Sequence, residues 1–217
     1  MPRSATQTRE RILDGAYMLF RRRGYSRVTM DDIAAEARLT KRTLYHHFES
    51  KDQLLSQVLT AQHQLAIAAF KTFGDRLSGS PDAIIKRMFQ QLAVWADRPR
   101  WAGSGFTRLV IELADLPGHP ARLIARRHKA RLERCFCELL ERSGVRRAEE
   151  LSRAIWLLSE GAISLILIHG DQGYSVAASE AASVLLRSHL DKHRILSRQS
   201  GNVRQGQTRL GAGQGFG

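Results

Sequence analysis

Eight consecutive residues, Thr40 to His47, bring two hydroxyls, two cations, a phenol and two imidazoles together around a single leucine. With Thr40 as an N-cap, the stretch predicts a helix that turns Leu44 and Phe48 inward, four apart. Thr40, Lys41, Thr43, Tyr45 and His46 then share an exposed face. Such a face donates hydrogen bonds to phosphates and base edges in a duplex groove. Lys51 opens the next helix, where its ammonium and the helix N-terminus can meet a phosphate. Neighbours on a helix point ~100° apart, so His46 and His47 cannot share a metal. No Cys or acid stands at ligand spacing, and no metal site is expected. The chain also lacks a glycine-rich phosphate loop after a strand, a metal-spaced His/Cys cluster and a Gly-x-Ser-x-Gly elbow. The glycines between Leu210 and Gly215 follow no strand. Neither an enzyme nor a cofactor is expected.

The elements that must position these residues read as helices throughout. Over Arg9–Arg22, Ile12, Leu13, Ala16, Tyr17, Leu19 and Phe20 recur at helical spacing. Cations at Arg21-Arg22-Arg23 suit the last turn, and Gly24 stops it. Thr29 caps a short helix from Met30 to about Ala37, followed by a turn at Arg38-Leu39. Beyond Ser50 come longer amphipathic helices, over 51–73, 81–95, 104–114, 121–142, 148–169 and 175–193. Breaks fall at Gly74–Pro81, Arg98–Arg100, Leu116–Pro120, Ser143-Gly144 and Gly170–Gly173. No stretch has the alternation of a strand, so the fold class is all-α.

Charge is unevenly placed along the 217 residues, whose formal net charge is +13. Residues 1–51 hold 11 basic and 6 acidic residues, and residues 52–191 hold 18 and 15. Residues 192–217 hold 5 basic residues and no acidic one. A basic head, a nearly balanced body and a basic tail suggest a polyanion partner met at the ends. The tail, 194–217, is rich in glycine and poor in apolar residues, and is expected to be disordered. The longest uncharged apolar run, Gly161–Gly170, is ten residues, against the ~20 that a membrane span needs. Residues 1–6 lead into charged residues with no apolar run, and no signal peptide is expected. Cys135 and Cys137 fall on nearly opposite helix faces and are expected neither to pair nor to share a metal. A reducing, cytoplasmic setting and no membrane partner are expected.

Residues 9–55 resemble the N-terminal domain of the TetR family of bacterial transcriptional regulators. The resemblance rests on Arg11-Ile12-Leu13, Ala16, Leu19-Phe20, Gly24-Tyr25, Val28-Thr29-Met30, Ile33-Ala34 and Thr40. It continues through Leu44-Tyr45-His46-His47-Phe48, Ser50-Lys51 and Leu54-Leu55. It implies a three-helix helix-turn-helix domain over 1–52 and a larger helical ligand-binding and dimerisation domain over 53–193. It also implies a double-stranded DNA operator as partner. Contacts would come from Thr29, Thr40, Lys41, Arg42, Thr43, Tyr45, His46 and Lys51. Arg38 and Arg42 depart from the commonest pattern.

For the body, the resemblance implies a homodimer and, often, a small-molecule effector. The dimer seam is expected on the last two long helices: Leu158, Ala162, Leu165, Ile166 and His169 against Val184, Leu185 and Ser188. Pocket candidates are Phe70, Phe89, Trp95, Trp101, Phe106, Leu109, Glu112 and Trp156, aromatics with a few polar groups. Arg108 and Glu112, four apart, are expected to form an ion pair. The function implied is a repressor released from a pseudo-palindromic operator by a ligand. The alternatives are a DNA-binding protein of the same fold without ligand control and, more remotely, a small-molecule enzyme.

Overall fold

Capping side chains mark where helices begin. Thr29, Thr40, Ser50, Ser80 and Ser104 each stand in extended backbone and accept from the amide three residues on. Each such cap stabilises its helix by ~1 kcal/mol. The computed structural model describes residues 5–210, with side chains described for residues 5–191. Among these residues the chain forms nine helices and no strand. They are α1 (Ala5–Arg23), α2 (Met30–Glu36), α3 (Lys41–His47), α4 (Lys51–Asp75) and α5 (Pro81–Ala96), then α6 (Gly105–Glu112), α7 (Pro120–Arg142), α8 (Ala148–His169) and α9 (Gly173–Leu210).

Buried side chains gather in two clusters. The first joins Ile12, Ala16, Leu19 and Phe20 of α1 to Ile33 and Ala34 of α2, Leu44 of α3 and Phe48 just beyond it. Leu54, Leu55, Val58 and Leu59 of α4 complete this core, which extends to Phe106, Leu109 and Leu113 and to Ala121 and Ala125 of α7. The boundary expected at 52–53 therefore falls in the first turn of a helix whose next two turns pack with α1–α3. The second cluster is built from α5, the end of α7, α8 and α9 around Ile85, Phe89, Phe136, Leu140 and Ile155. Ser175, itself buried, donates to the Phe89 carbonyl at 2.8 Å and ties α9 to α5.

Three departures from the sequence reading have local causes. α4 continues through Gly74, read as a break, because Gly74 is buried against α7 and the Arg142 guanidinium donates to its carbonyl at 3.4 Å. α9 does not stop at His193 but runs to Leu210, so 194–210 of the expected tail continue the helix. Nothing from Arg194 to Gln199 breaks a helix. Residues 211–217 lie outside the described residues. α8, finally, is long and apolar enough to cross a bilayer by length and composition, with a mean hydropathy of 1.6 over its best 18 residues. This corrects the ten-residue estimate, which stopped at Glu160. That carboxylate is held by Lys129 at 2.6 Å and by the Thr107 hydroxyl at 3.3 Å. In the fold, α8 packs against α7 and α9 and buries Ile155, Ala162 and Ile166.

Two substitutions test the head core. Leu44 is fully buried, and Leu44→Ala is expected to cost about 2–5 kcal/mol in urea unfolding. Arg38 turns the chain at φ 53°, a left-handed conformation that costs an L-residue ~1–2 kcal/mol. Arg38→Gly relieves it at some cost in chain entropy. It is expected to raise stability by up to about 1 kcal/mol in the same assay.

Candidate nucleic-acid interface and ligand cavity

α2 and α3 are held at a fixed angle by a short turn. The Arg38 amide donates to the Ala35 carbonyl at 3.0 Å, and the Leu39 amide to that of Ala34 at 2.9 Å. At the start of α2, Thr29 accepts from the Asp32 amide at 3.1 Å, and the Thr29 amide donates to Asp32 Oδ2 at 2.8 Å. The bonds to Asp32 from the Thr29 amide and hydroxyl, and then from Arg23, hold its carboxyl down to about 2. Arg23 reaches Asp32 at 3.0 Å and Arg22 reaches Glu36 at 3.0 Å, so the α1 arginines tie α1 to α2. On α3, Thr40 accepts from the Thr43 amide at 3.1 Å, and the two hydroxyls lie 2.8 Å apart.

Thr40, Lys41, Arg42, Tyr45 and His46 are all exposed, and Thr43 is half-buried. Tyr45 stands 44% exposed beside the fully buried Leu44. Lys41 pairs with Asp31 at 2.9 Å, both side chains remaining in solvent. Its bond to Asp31 raises its pKa. Thr29 is exposed as well as capping.

Lys51 is used differently from the expectation. Its ammonium donates to the carbonyls of Tyr25 and Val28 at 3.1 and 3.0 Å and lies 4.2 Å above the Tyr25 ring. It clamps the α1–α2 loop instead of standing out for a phosphate. Its nearness to that loop is tertiary, so helix position could not reveal it.

The same loop is gripped from the body. Glu112, at the end of α6, accepts from the Tyr25 amide at 2.9 Å and the Ser26 amide at 2.6 Å. Burial alone would raise the Glu112 carboxyl, but these amides outweigh it and hold it below the usual carboxylate range. The Tyr25 hydroxyl bonds Asp52, and His119 lies 3.6 Å from the same carboxylate. Burial, then Asp52, pushes the phenol up; the Tyr25 bond pulls the Asp52 carboxyl down. Arg108 donates to the Arg21 carbonyl at 2.9 Å and the Ala102 carbonyl at 3.4 Å. The expected Arg108–Glu112 ion pair does not form, because each side chain is engaged by backbone groups around the end of α1.

A cavity of about 330 Å³ opens beside this grip, among α1, α4, α5, α6, α7 and α8. Of the pocket candidates, Trp95, Phe106, Leu109, Glu112 and Trp156 line it. Phe89, Phe70 and Trp101 do not. Phe89 is buried at the centre of the second cluster, and Phe70 packs on that cluster and on Phe73. Trp101 meets Trp95 edge to face in a neighbouring hollow. Aromatics at helical spacing look alike in sequence whether they fill a core or line a void. The sequence reading missed His128, which lines the cavity, stacks on Phe106 at 3.7 Å and meets His63 at 3.1 Å. Burial, with Lys129 and His63 nearby, lowers the His128 pKa to about 4.

The expected dimer seam divides into two faces. Ala162 and Ile166 are buried within the chain and Leu158 is half-buried against the second cluster. They serve the chain's own core, because they lie on the face of α8 turned to α7 and α9. Leu165, His169, Val184, Leu185 and Ser188 are exposed. Leu157 and Ile168, outside the expected seam, are 73% and 70% exposed and extend the Leu165 face along α8.

Comparison with known proteins places this geometry. Residues 12–58 match the sequence profile of bacterial regulatory proteins of the tetR family. The HTH-type transcriptional regulator SrpR of Pseudomonas putida is 35% identical over 91 residues, 42% of this chain and 38% of that protein. The negative transcriptional regulator IcaR of a Staphylococcus aureus biofilm operon is 26% identical over 109 residues, 50% of this chain and 55% of that one. These matches thus span about half or less of either curated relative. The crystal structure of a TetR-family transcriptional regulator from Streptomyces coelicolor superposes with a TM-score of 0.74 at 26% identity. That superposition covers 84% of this chain and 96% of the other. The matched head, the shared helical fold and the relatives agree: residues 12–58 form a head of the bacterial tetR-family type, on a helical fold similar to that of TetR-family transcriptional regulators.

Proposed function

We propose that the chain is a sequence-specific DNA-binding transcriptional regulator that works in the cytoplasm as a homodimer, a repressor released from a pseudo-palindromic operator by a small molecule. The observation that carries this reading is the exposed donor face of α3 standing on the buried Leu44 and Phe48. Residues 1–52 form the reading head, with Thr40, Lys41, Arg42, Thr43, Tyr45 and His46 toward bases and flanking phosphates and Thr29 toward a phosphate. Residues 53–193 form the ligand and dimer body. The negative regulation in the name of the Staphylococcus aureus relative supports the sign.

The exposed apolar stripe of α8 and α9 supports the dimer. Leu157, Leu165 and Ile168 with Val184 and Leu185 would close a four-helix bundle across a two-fold axis. Two α3 helices would then address successive major-groove faces ~34–36 Å apart. The effector's place is the cavity beside Glu112 and Arg108. A bound molecule shifts the head only by as much as it favours one head position over another. Glu112, which ties the loop, and Arg108, which ties the end of α1, also line the cavity, so occupancy and head position meet at these two side chains.

Four measurements check this reading. Protection of the DNA upstream of its own gene, across a salt series with competitor DNA, is expected to show a palindrome bound far above competitor. Equal, salt-weakened binding to every sequence would overturn it. Lys41→Ala and Tyr45→Ala are each expected to weaken binding to that palindrome by about tenfold with an unchanged circular dichroism spectrum. Sedimentation of a Leu157→Glu, Ile168→Glu double variant is expected to give a monomer where the parent gives a dimer. The fourth concerns the cavity wall. The folded His128 pKa, about 4, lies below the ~6.5 of an exposed histidine. The unfolded chain therefore takes up the proton first as pH falls. The contribution of this group to stability is complete above pH ~6.5 and is lost toward pH ~4. Urea unfolding at stepped pH is expected to show this limb, flattened in His128→Gln.

A further inference from the structure

A second hollow, of about 630 Å³, lies between the last turn of α1 and the connector from α5 to α6. Arg21 and Arg22 of α1, Arg98 and Arg100 of the connector and Arg108 of α6 line it, and among the described residues no Asp or Glu does. Trp95 and Trp101 supply its aromatic surface, with ring centres 5.3 Å apart and planes at 88°.

Three of these arginines have partners: Arg22 has Glu36, Arg108 the carbonyls of Arg21 and Ala102, and Arg21 the face of Tyr17 at 5.6 Å. Arg98 and Arg100 enter no ion pair among the described residues. The Trp101 indole N–H is buried and has no acceptor among the described residues. Arg100 is held at φ 58°, a left-handed conformation that disfavours an L-residue.

Five like charges with one counter-charge, Glu36, among them repel, and a buried donor without an acceptor is unfavourable. Both are relieved by one kind of occupant. Guanidinium forks match the two oxygens of a carboxylate or phosphate. An indole N–H adds a further donor, and tryptophan faces pack against a planar ring.

We propose that this hollow binds a small anionic aromatic molecule, an aryl carboxylate or aryl phosphate, at a site beyond the cavity that borders Glu112. The two voids share Arg21, Trp95 and Arg108 as a common wall. An anion drawn to Arg108 competes with the Arg21 carbonyl for the same guanidinium. The site therefore bears on the tie between α6 and the end of α1. Its existence does not rest on the DNA-binding reading.

The test is isothermal titration of the full chain with 1-naphthoate, 1-naphthyl phosphate and neutral 1-naphthol. At least one anion is expected to bind at least about tenfold more tightly than the naphthol. An Arg98→Ala, Arg100→Ala double variant, altered only at exposed side chains, is expected to lose about tenfold for that anion with an unchanged melting temperature. Trp101→Phe keeps a ring, removes the N–H and is expected to weaken the same binding severalfold. Naphthol binding as tightly as the anions would overturn the proposal, as would absence of heat with both anions. Binding unchanged in the double-arginine variant would also overturn it. So would a variant that loses nonspecific DNA affinity but no anion affinity, which would assign these arginines to the DNA backbone.

Discussion

The backbone between Gly24 and Thr29 has no helix of its own to satisfy its amides and carbonyls, and buried or half-buried backbone groups must find partners. Two other segments supply them, the end of α6 and the first turn of α4. Glu112 takes the amides of Tyr25 and Ser26, Lys51 takes the carbonyls of Tyr25 and Val28, and Asp52 holds the Tyr25 hydroxyl. Once this loop is held, Thr29 is in place to cap α2, and α2 through its turn sets the direction of α3. The placement of the reading face thus depends on two carboxylates and one ammonium that lie outside α2 and α3.

The geometry leaves little room at this point. Gly24 sits at φ 83°, and a Cβ there would lie 3.1 Å from a Glu112 oxygen. A side chain would be strained by its backbone and would push against the carboxylate that binds the next two amides. Arg21, Gly24, Arg108 and Glu112 also border the cavity. Within the proposed function, an effector would therefore meet Glu112, one of the three side chains that hold the loop. No separate relay through the length of α4 is required.

α8 shows how one apolar helix serves two surfaces. Ile155 and Ala162 complete the second cluster and Ile166 is buried beside them on the same helix, while Leu157, Leu165 and Ile168 remain in solvent. Its one mid-helix acid, Glu160, is neutralised by Lys129 at the cavity wall. The outward stripe is the kind of patch that a partner covers. The two-fold partner of the proposed function is the occupant that also gives α3 a mate.

The helix starts, the donor face of α3 and the apolar spacing of the first core were legible in the sequence. Each is set by interactions within three or four residues: a hydroxyl with an amide three positions on, or a leucine with a phenylalanine one turn away. What the sequence could not show was decided by distant partners. Glu112 and Arg108 look like a pair along their own helix, but each reaches α1 or its loop some 87 positions away. Lys51 has the position of a phosphate ligand, yet its charge is drawn inward by carbonyls 23 and 26 positions upstream. Periodicity showed that α8 has apolar residues all round, but only packing against α7 and α9 decided that Ala162 and Ile166 turn inward and Leu157 and Ile168 outward. Local hydrogen bonds and periodicity are written in neighbouring residues. The choice of which face to bury, and of which charge meets which backbone group, is made only when distant segments come into contact.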